Sequence, residues 1–131
     1  MKTLLIIVFL VASPLIINAQ MKTWVAPKSA NAMKNPFVND ENAAKKGKRI
    51  FNQICFICHG LKGDGKGVGG VSLNPKPANF LSMRVRGESD GAIFWKMTEG
   101  NPPMASYKDI YTKEQRWQLV SYIRQLEKNN K

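Results

Sequence analysis

The chain is 131 residues long and poor in the side chains from which most metal and redox sites are built, with one His and two Cys. Two cysteines are too few for a disulfide-stapled scaffold, and with the single imidazole they fall short of the four ligands of a structural zinc site. Acidic residues are scarce too: 9 Asp and Glu face 20 Lys and Arg, for a formal net charge of +11. Long apolar runs are absent. The longest, Leu4 to Ile17, is 14 residues interrupted by Pro14, where a membrane-spanning helix needs about 20. No window alternates well enough for a sheet, and there are no internal repeats. The length is that of one domain and too short for a large enzyme.

What the N-terminus does hold is Lys2, an apolar run from Leu4 to Ala12, and Ser13-Pro14-Leu15-Ile16-Ile17-Asn18-Ala19. This reads as a secretory signal peptide over residues 1–19, cut between Ala19 and Gln20, although Ile17 is large for its place before the cut. The rival reading is an uncleaved N-terminal anchor, which the short apolar run disfavours. Cleavage leaves 131 less 19, or 112 residues, and removes only Lys2, so the exported chain carries +10. A domain this basic raises the question of nucleic acid, but an exported chain in the periplasm does not meet it. An acidic protein surface is the expected counterpart, with peripheral association to the anionic envelope as a second.

Residues 20–39 carry Pro27 and Pro36 among Lys, Ser, Asn and Ala, without a period of 2 or 3.6, and read as an extended or loosely packed lead-in. The domain proper is residues 40–131. Asn39 and Asp40 are N-cap residues before a helix in which Gly47, Ile50, Phe51 and Ile54 fall at i, i+3, i+4 and i+7 on one face. A Gly there costs about 1 kcal/mol against Ala, which is repaid where a second helix must come close. Residues 60–81, with six glycines and then Asn74-Pro75-Lys76-Pro77-Ala78-Asn79, cannot hold a regular element. A short helix is expected from Ser89-Asp90 to a stop at Gly100. The last helix starts from Thr112, with Gln115 completing a capping box, and places Leu119, Tyr122, Ile123 and Leu126 on one face. The outcome is an all-α domain of three to four helices with long loops, and loops of that length need something to fold around.

Cys55-Phe56-Ile57-Cys58-His59 supplies it. Two thiols three residues apart with an imidazole next in line form the pattern for covalent attachment of a c-type haem. Cys55 and Cys58 can reach the two vinyl groups along one porphyrin edge, while His59 turns beneath the ring to bind iron. The alternatives fit less well. A redox Cys-x-x-Cys pair calls for a βαβ setting that is missing, and zinc lacks a fourth ligand. Because His59 is the sole His, the sixth iron position falls to a Met or stays open. Of the six Met, Met1 goes with the leader, Met21 and Met33 sit in the lead-in, and Met97 lies beside Ile93 and Phe94 and reads as core packing, which leaves Met83 and Met104. The run Gly60-x-x-x-x-Gly65-Lys66 is a near miss to a phosphate-binding loop. It follows a helix and lacks the Ser or Thr for magnesium, so its glycines read as tight turns beside the porphyrin edge.

With these residues the chain resembles the monohaem class I cytochromes c of bacterial electron transfer, from about Asn42 to Leu126. The likeness rests on Gly47 and Phe51 ahead of Cys55-x-x-Cys58-His59-Gly60, on Gly63-Asp64-Gly65, on Pro77-Ala78-Asn79-Phe80, on Gly100 leading to Met104, and on Trp117-x-Leu119-Val120-x-Tyr122-Ile123-Arg124-x-Leu126. The resemblance implies the class I cytochrome c fold, with Gly47 and Phe51 of the first helix crossing Leu119 and Tyr122 of the last. It implies Met104 as the distal iron ligand, although the family often has Pro after that Met and here Ala105 follows while Pro103 precedes. It also implies a proline carbonyl, from Pro75 or Pro77, as acceptor for the His59 ring proton, an outer bond that orients a metal-binding imidazole.

The expected function is electron transfer by a single haem c with His59 and Met104 as iron ligands, without chemistry on a substrate and so without enzyme activity. The expected partners are redox proteins with acidic docking surfaces, and the run Lys45-Lys46-Lys48-Arg49 is a candidate docking face. Two rivals stand beside it: a haem-bearing electron-transfer subunit of a larger oxidoreductase complex, and a ligand-binding haem protein with an open distal site.

Overall fold

Asp40 begins the first long helix. Its carboxylate accepts the backbone N–H groups of Asn42 and Ala43, satisfying two of the donors that a helix start leaves unpaired. The computed structural model describes residues 23–130, and the expected leader and its cleavage site lie outside them. In chain order, the α-helices of the described residues are α1 (Lys28–Asn31), α2 (Glu41–Ile50), α3 (Phe56–His59), α4 (Met83–Arg86), α5 (Asp90–Glu99) and α6 (Lys113–Asn129). No strand occurs among the described residues, and none of these helices is long and apolar enough to cross a membrane. The all-α reading therefore holds among the described residues, with six α-helices in place of the three to four expected because α1, α3 and α4 are four-residue helices too short to show a period.

The chain does not leave the helical path after Ile50. Residues Phe51–Cys55 form a π turn, in which the Phe56 N–H reaches the Phe51 carbonyl, before α3 resumes. A π turn inserts one residue into the α register. Ile54, expected on the face of Gly47, Ile50 and Phe51, is consequently turned out and is 38% exposed. Cys55, one position later, takes the inward place and packs against the core. The extra residue thus aims the attachment motif.

α6 starts from the expected capping box, Thr112 Oγ1 accepting Gln115 N–H while Gln115 Oε1 accepts Thr112 N–H. It crosses α2 at Gly47. A Cβ at that position would lie 2.0 Å from the Gln118 carbonyl oxygen and 3.0 Å from Leu119 N. One turn on, Phe51 is fully buried and meets Tyr122 edge to face, with ring centroids 5.2 Å apart. Gly47→Ala is accordingly expected to destabilise the haem protein. The gain of about 1 kcal/mol in helix propensity is outweighed by the ~1–3 kcal/mol cost of forcing two packed helices apart. Thermal unfolding followed by circular dichroism should show a lower midpoint, and an unchanged or raised midpoint would remove the crossing from the account.

α5 is capped by Ser89, whose Oγ accepts Ala92 N–H, and ends at Gly100 in the left-handed region at φ +71°. Phe94 stacks on Trp117 at 4.0 Å, joining α5 to α6. The lead-in, expected to be extended or loosely packed, holds α1 and lies against α5, where a Cβ on Gly91 would be 1.9 Å from the Ala30 carbonyl oxygen. Asn35, buried, donates to Asp90 (2.9 Å) and to Ser121 Oγ (3.3 Å), and Ser121 donates to the Phe37 carbonyl. Arg124 holds the same Asp90 at 2.7 Å and Glu127 at 2.9 Å. The lead-in also buries Ala26 and Ala30 against Ala92 and sets Trp24 against Trp95, and neither these contacts nor the polar bonds carry a period for a sequence reading to detect.

Candidate haem site

Cys55 ends the π turn, and Cys58 and His59 end α3, so local helix geometry places all three side chains. Both thiols are free and half-buried. Burial pushes the Cys55 thiol up to about 12, with the neighbouring Cys58 adding to the rise. A redox Cys-x-x-Cys pair needs the opposite, a thiolate favoured at a helix N-terminus. Here the pair sits at a helix C-terminus, where the dipole opposes negative charge. The geometry thus disfavours a dithiol redox site.

His59 is buried, at 8% exposure, and burial lowers its pKa, partly countered by the hydrogen bond to a backbone carbonyl. The ring is therefore neutral at neutral pH, the form that binds a metal. Nδ1 lies 3.0 Å from the Ala78 carbonyl oxygen, which fixes the proton on Nδ1 and leaves Nε2 as the donor atom. The expected acceptor, Pro75 or Pro77, is thus corrected to Ala78. The Pro77 carbonyl instead faces Gly65, where a Cβ would come within 2.9 Å of it. Neighbouring carbonyls of an extended segment point opposite ways, so a shift of one residue changes the acceptor. Phe80 stacks on the imidazole at 4.6 Å and 15°, a contact with no signal in the sequence beyond the Pro77-Ala78-Asn79-Phe80 run.

The glycine loop lies directly on α3. A Cβ on Gly67 would be 2.3 Å from the Ile57 carbonyl oxygen, and one on Gly70 would be 2.7 Å from that of Cys58. Gly65 N–H donates to the His59 carbonyl and Phe80 N–H to the Gly63 carbonyl, both at 2.8 Å. These are the tight turns the sequence implied, packed around the motif rather than around a phosphate.

Met104 sits in the turn after α5, where Asn101 and Met104 exchange backbone hydrogen bonds of 3.0 and 2.9 Å. It is half-buried. Met97 is in the core at 6% exposure, as expected, and Met83 is 90% exposed at the start of α4. Past Met104 the chain packs back on the core cluster against which Cys55 also lies. Tyr107 and Tyr111 stack at 5.7 Å, and the Tyr107 hydroxyl is pushed up to about 12 by burial, with Cys55, Tyr111 and Cys58 adding smaller contributions. Neither tyrosine was singled out in the sequence, where aromatics in a loop carry no period.

The residues present fit a covalently held haem: two thiols at the required spacing, a neutral imidazole with one nitrogen already committed, and aromatic walls. Among the described residues no cluster of three or more His, Cys, Asp or Glu offers a competing metal site. A family model described as cytochrome C oxidase, cbb3-type, subunit III matches residues 42–123. No curated protein matches the chain. Among solved structures, the chain is similar to one from the reducing HAO-like protein complex of Kuenenia stuttgartiensis, at 26% identity and a TM-score of 0.59. The likeness covers 66% of this chain and 44% of that one, so this chain spans less than half the length of its neighbour. A match over most of the helical domain, on the residues that hold the attachment motif and the helix crossing, places the chain in the cbb3-type cytochrome c oxidase subunit III family, as a monohaem c-type cytochrome with one haem covalently bound at Cys55 and Cys58.

Proposed function

We propose that the chain is a periplasmic one-electron carrier in which His59 and Met104 bind the haem iron, and that it passes electrons to partners with acidic surfaces without acting on a substrate itself. The observation that carries this reading is the position of Met104: half-buried, on a closed turn, and followed by Tyr107 and Tyr111, which pack against the same core cluster as Cys55. Bound haem supplies a reversible ferric–ferrous couple. The chain's own residues do the rest. Ala78 orients His59, a thioether at Met104 would keep exogenous ligands out, and Phe80 with the tyrosine pair keeps the surroundings apolar. Optical spectra of the oxidised and reduced protein, with and without carbon monoxide, test the reading. A far-red sulfur-to-iron band in the ferric form and slow carbon monoxide binding in the ferrous form are expected, and rapid binding would favour an open-site haem protein.

Ile54, Ile57, Leu61, Val68 and Val71 are all exposed around the motif, with exposed Lys62, Lys66 and Lys76 among them. Lys45, Lys46, Lys48 and Arg49 are exposed on α2. Both groups support an acidic partner. Oxidation of the reduced protein by anionic hexacyanoferrate should slow by about tenfold or more between ~0.01 and ~1 M ionic strength, as screening shortens from roughly 30 to 3 Å. With cationic hexaammineruthenium the rate should rise. Two flat profiles would leave the basic residues as solubility and envelope attraction only.

A second reading, a haem-bearing subunit of a larger oxidoreductase complex, draws on the solved neighbour, which belongs to a protein complex. Co-migration of the haem protein with a larger partner during purification without a tag would favour it over the free carrier. Export to the periplasm rests on the leader read in residues 1–19, and N-terminal sequencing of the protein from cells tests it.

A further inference from the structure

We infer that Arg116 is a positioning residue that holds the Met104 turn closed, an inference that rests on Met104 being the distal ligand. Arg116 lies in the first turns of α6 and is 7% exposed. Among the described residues it forms no ion pair, and its Nε is buried without a hydrogen-bond partner. A buried cation without a counter-charge is costly, so its contacts must return something other than bulk stability. Nη1 donates to the Lys108 carbonyl at 2.9 Å and lies 3.4 Å from that of Tyr107. Those two carbonyls come three and four residues after Met104.

The rest of the turn explains why such a brace is needed. Pro102, Pro103, Ala105, Ser106 and Lys108 are exposed, so hydrophobic burial holds this stretch only through half-buried Met104 and through Tyr107, which packs on the core. Its α5 side is fixed by Tyr107 N–H on the Met97 carbonyl at 3.1 Å and by Ser106 Oγ on the Thr98 carbonyl at 2.6 Å. The α6 side is held by Arg116. The guanidinium is aimed by the Phe94 ring, 5.2 Å beneath it, and Phe94 is itself stacked on Trp117. Arg116 therefore ties the segment carrying Met104 to the same helix that crosses α2 above the thiols. Without it the turn swings from its α5 hinge, and the thioether leaves its place for part of the time.

The test compares the haem-loaded wild type with Arg116→Met, Arg116→Lys and, as a control for lost stability, Val85→Ala, whose side chain is buried on α4. Each is read by the far-red band of the ferric form and the rate of carbon monoxide binding to the ferrous form, well below its unfolding temperature. Arg116→Met should weaken the band and speed carbon monoxide binding by roughly ten- to a hundredfold, the range expected for losing hydrogen bonds from a charged donor. Arg116→Lys, which keeps the charge but presents one compact ammonium in place of the planar fork, should give a smaller increase. It carries the test should the Met variant not fold. Val85→Ala should lower the unfolding midpoint and change neither readout. If the Arg116 variants lose stability yet keep the wild-type band and rate, Arg116 only packs and the inference fails while the Met104 reading stands. If the wild type lacks the band and binds carbon monoxide rapidly, the Met104 reading fails and the inference with it.

Discussion

Cys55→Ala or Cys58→Ala is expected to yield little haem protein and little folded chain. Between Gly60 and Ser82 the only buried large apolar side chain is Phe80, and it lies flat on His59. Gly67 and Gly70 of that loop close onto the backbone of α3, which itself consists of Phe56–His59. Nothing in the stretch forms an independent core, so its order depends on what Cys55, Cys58 and His59 hold. Cys55 also packs against the main cluster around Phe51, Leu119 and Tyr122, so losing the attachment loosens the crossing of α2 and α6 as well. A domain of this size has a margin of about 5–15 kcal/mol in all, and cofactor binding to the folded state alone is folding free energy. Far-ultraviolet circular dichroism and haem absorbance of the purified variants check this. A Cys55→Ala protein with full helical signal and no haem would show that the polypeptide folds unaided.

On the ligation proposed above, Met104→Ala should open the distal site and turn the protein into a ligand-binding haem protein. A neutral thioether favours ferrous over ferric iron and fills the place where oxygen, nitric oxide or carbon monoxide would otherwise enter. For a one-electron couple each tenfold loss of that preference lowers the potential by about 59 mV, and a fall on the order of 100 mV or more is expected. The ferric far-red band should vanish, and the ferrous form should bind carbon monoxide readily. Met83→Ala should do none of this, because Met83 is 90% exposed on the first residue of α4. Redox titration and carbon monoxide binding of both variants separate the two methionines. Survival of the band in Met104→Ala would move the assignment to another donor.

Features set by neighbours along the chain were open to a reading of the sequence. Asp40 as N-cap, the Thr112–Gln115 capping box and the Gly100 stop depend on groups a few residues apart. The same holds for Cys55, Cys58 and His59, since attachment to one porphyrin edge is a matter of local spacing. Gly47 could be placed at a helix contact because a Gly on an apolar face has few other uses. The π turn was not foreseeable, because Phe51-Asn52-Gln53-Ile54 is an unremarkable helical sequence with nothing in it to mark the inserted residue.

The amino-acid sequence by itself determined the cofactor, its attachment and the helical class, since each follows from covalent spacing or from periodicity within one element. Tertiary structure alone decided which carbonyl, Ala78 rather than a proline, orients His59 across 19 residues, and that Asn35 reaches Asp90 and Ser121 from a lead-in without pattern. It also decided that Arg116 bonds to the carbonyls behind Met104. These are hydrogen bonds of single side chains that no sequence pattern links to their partners, and which of them form depends on how separate segments are brought together in three dimensions.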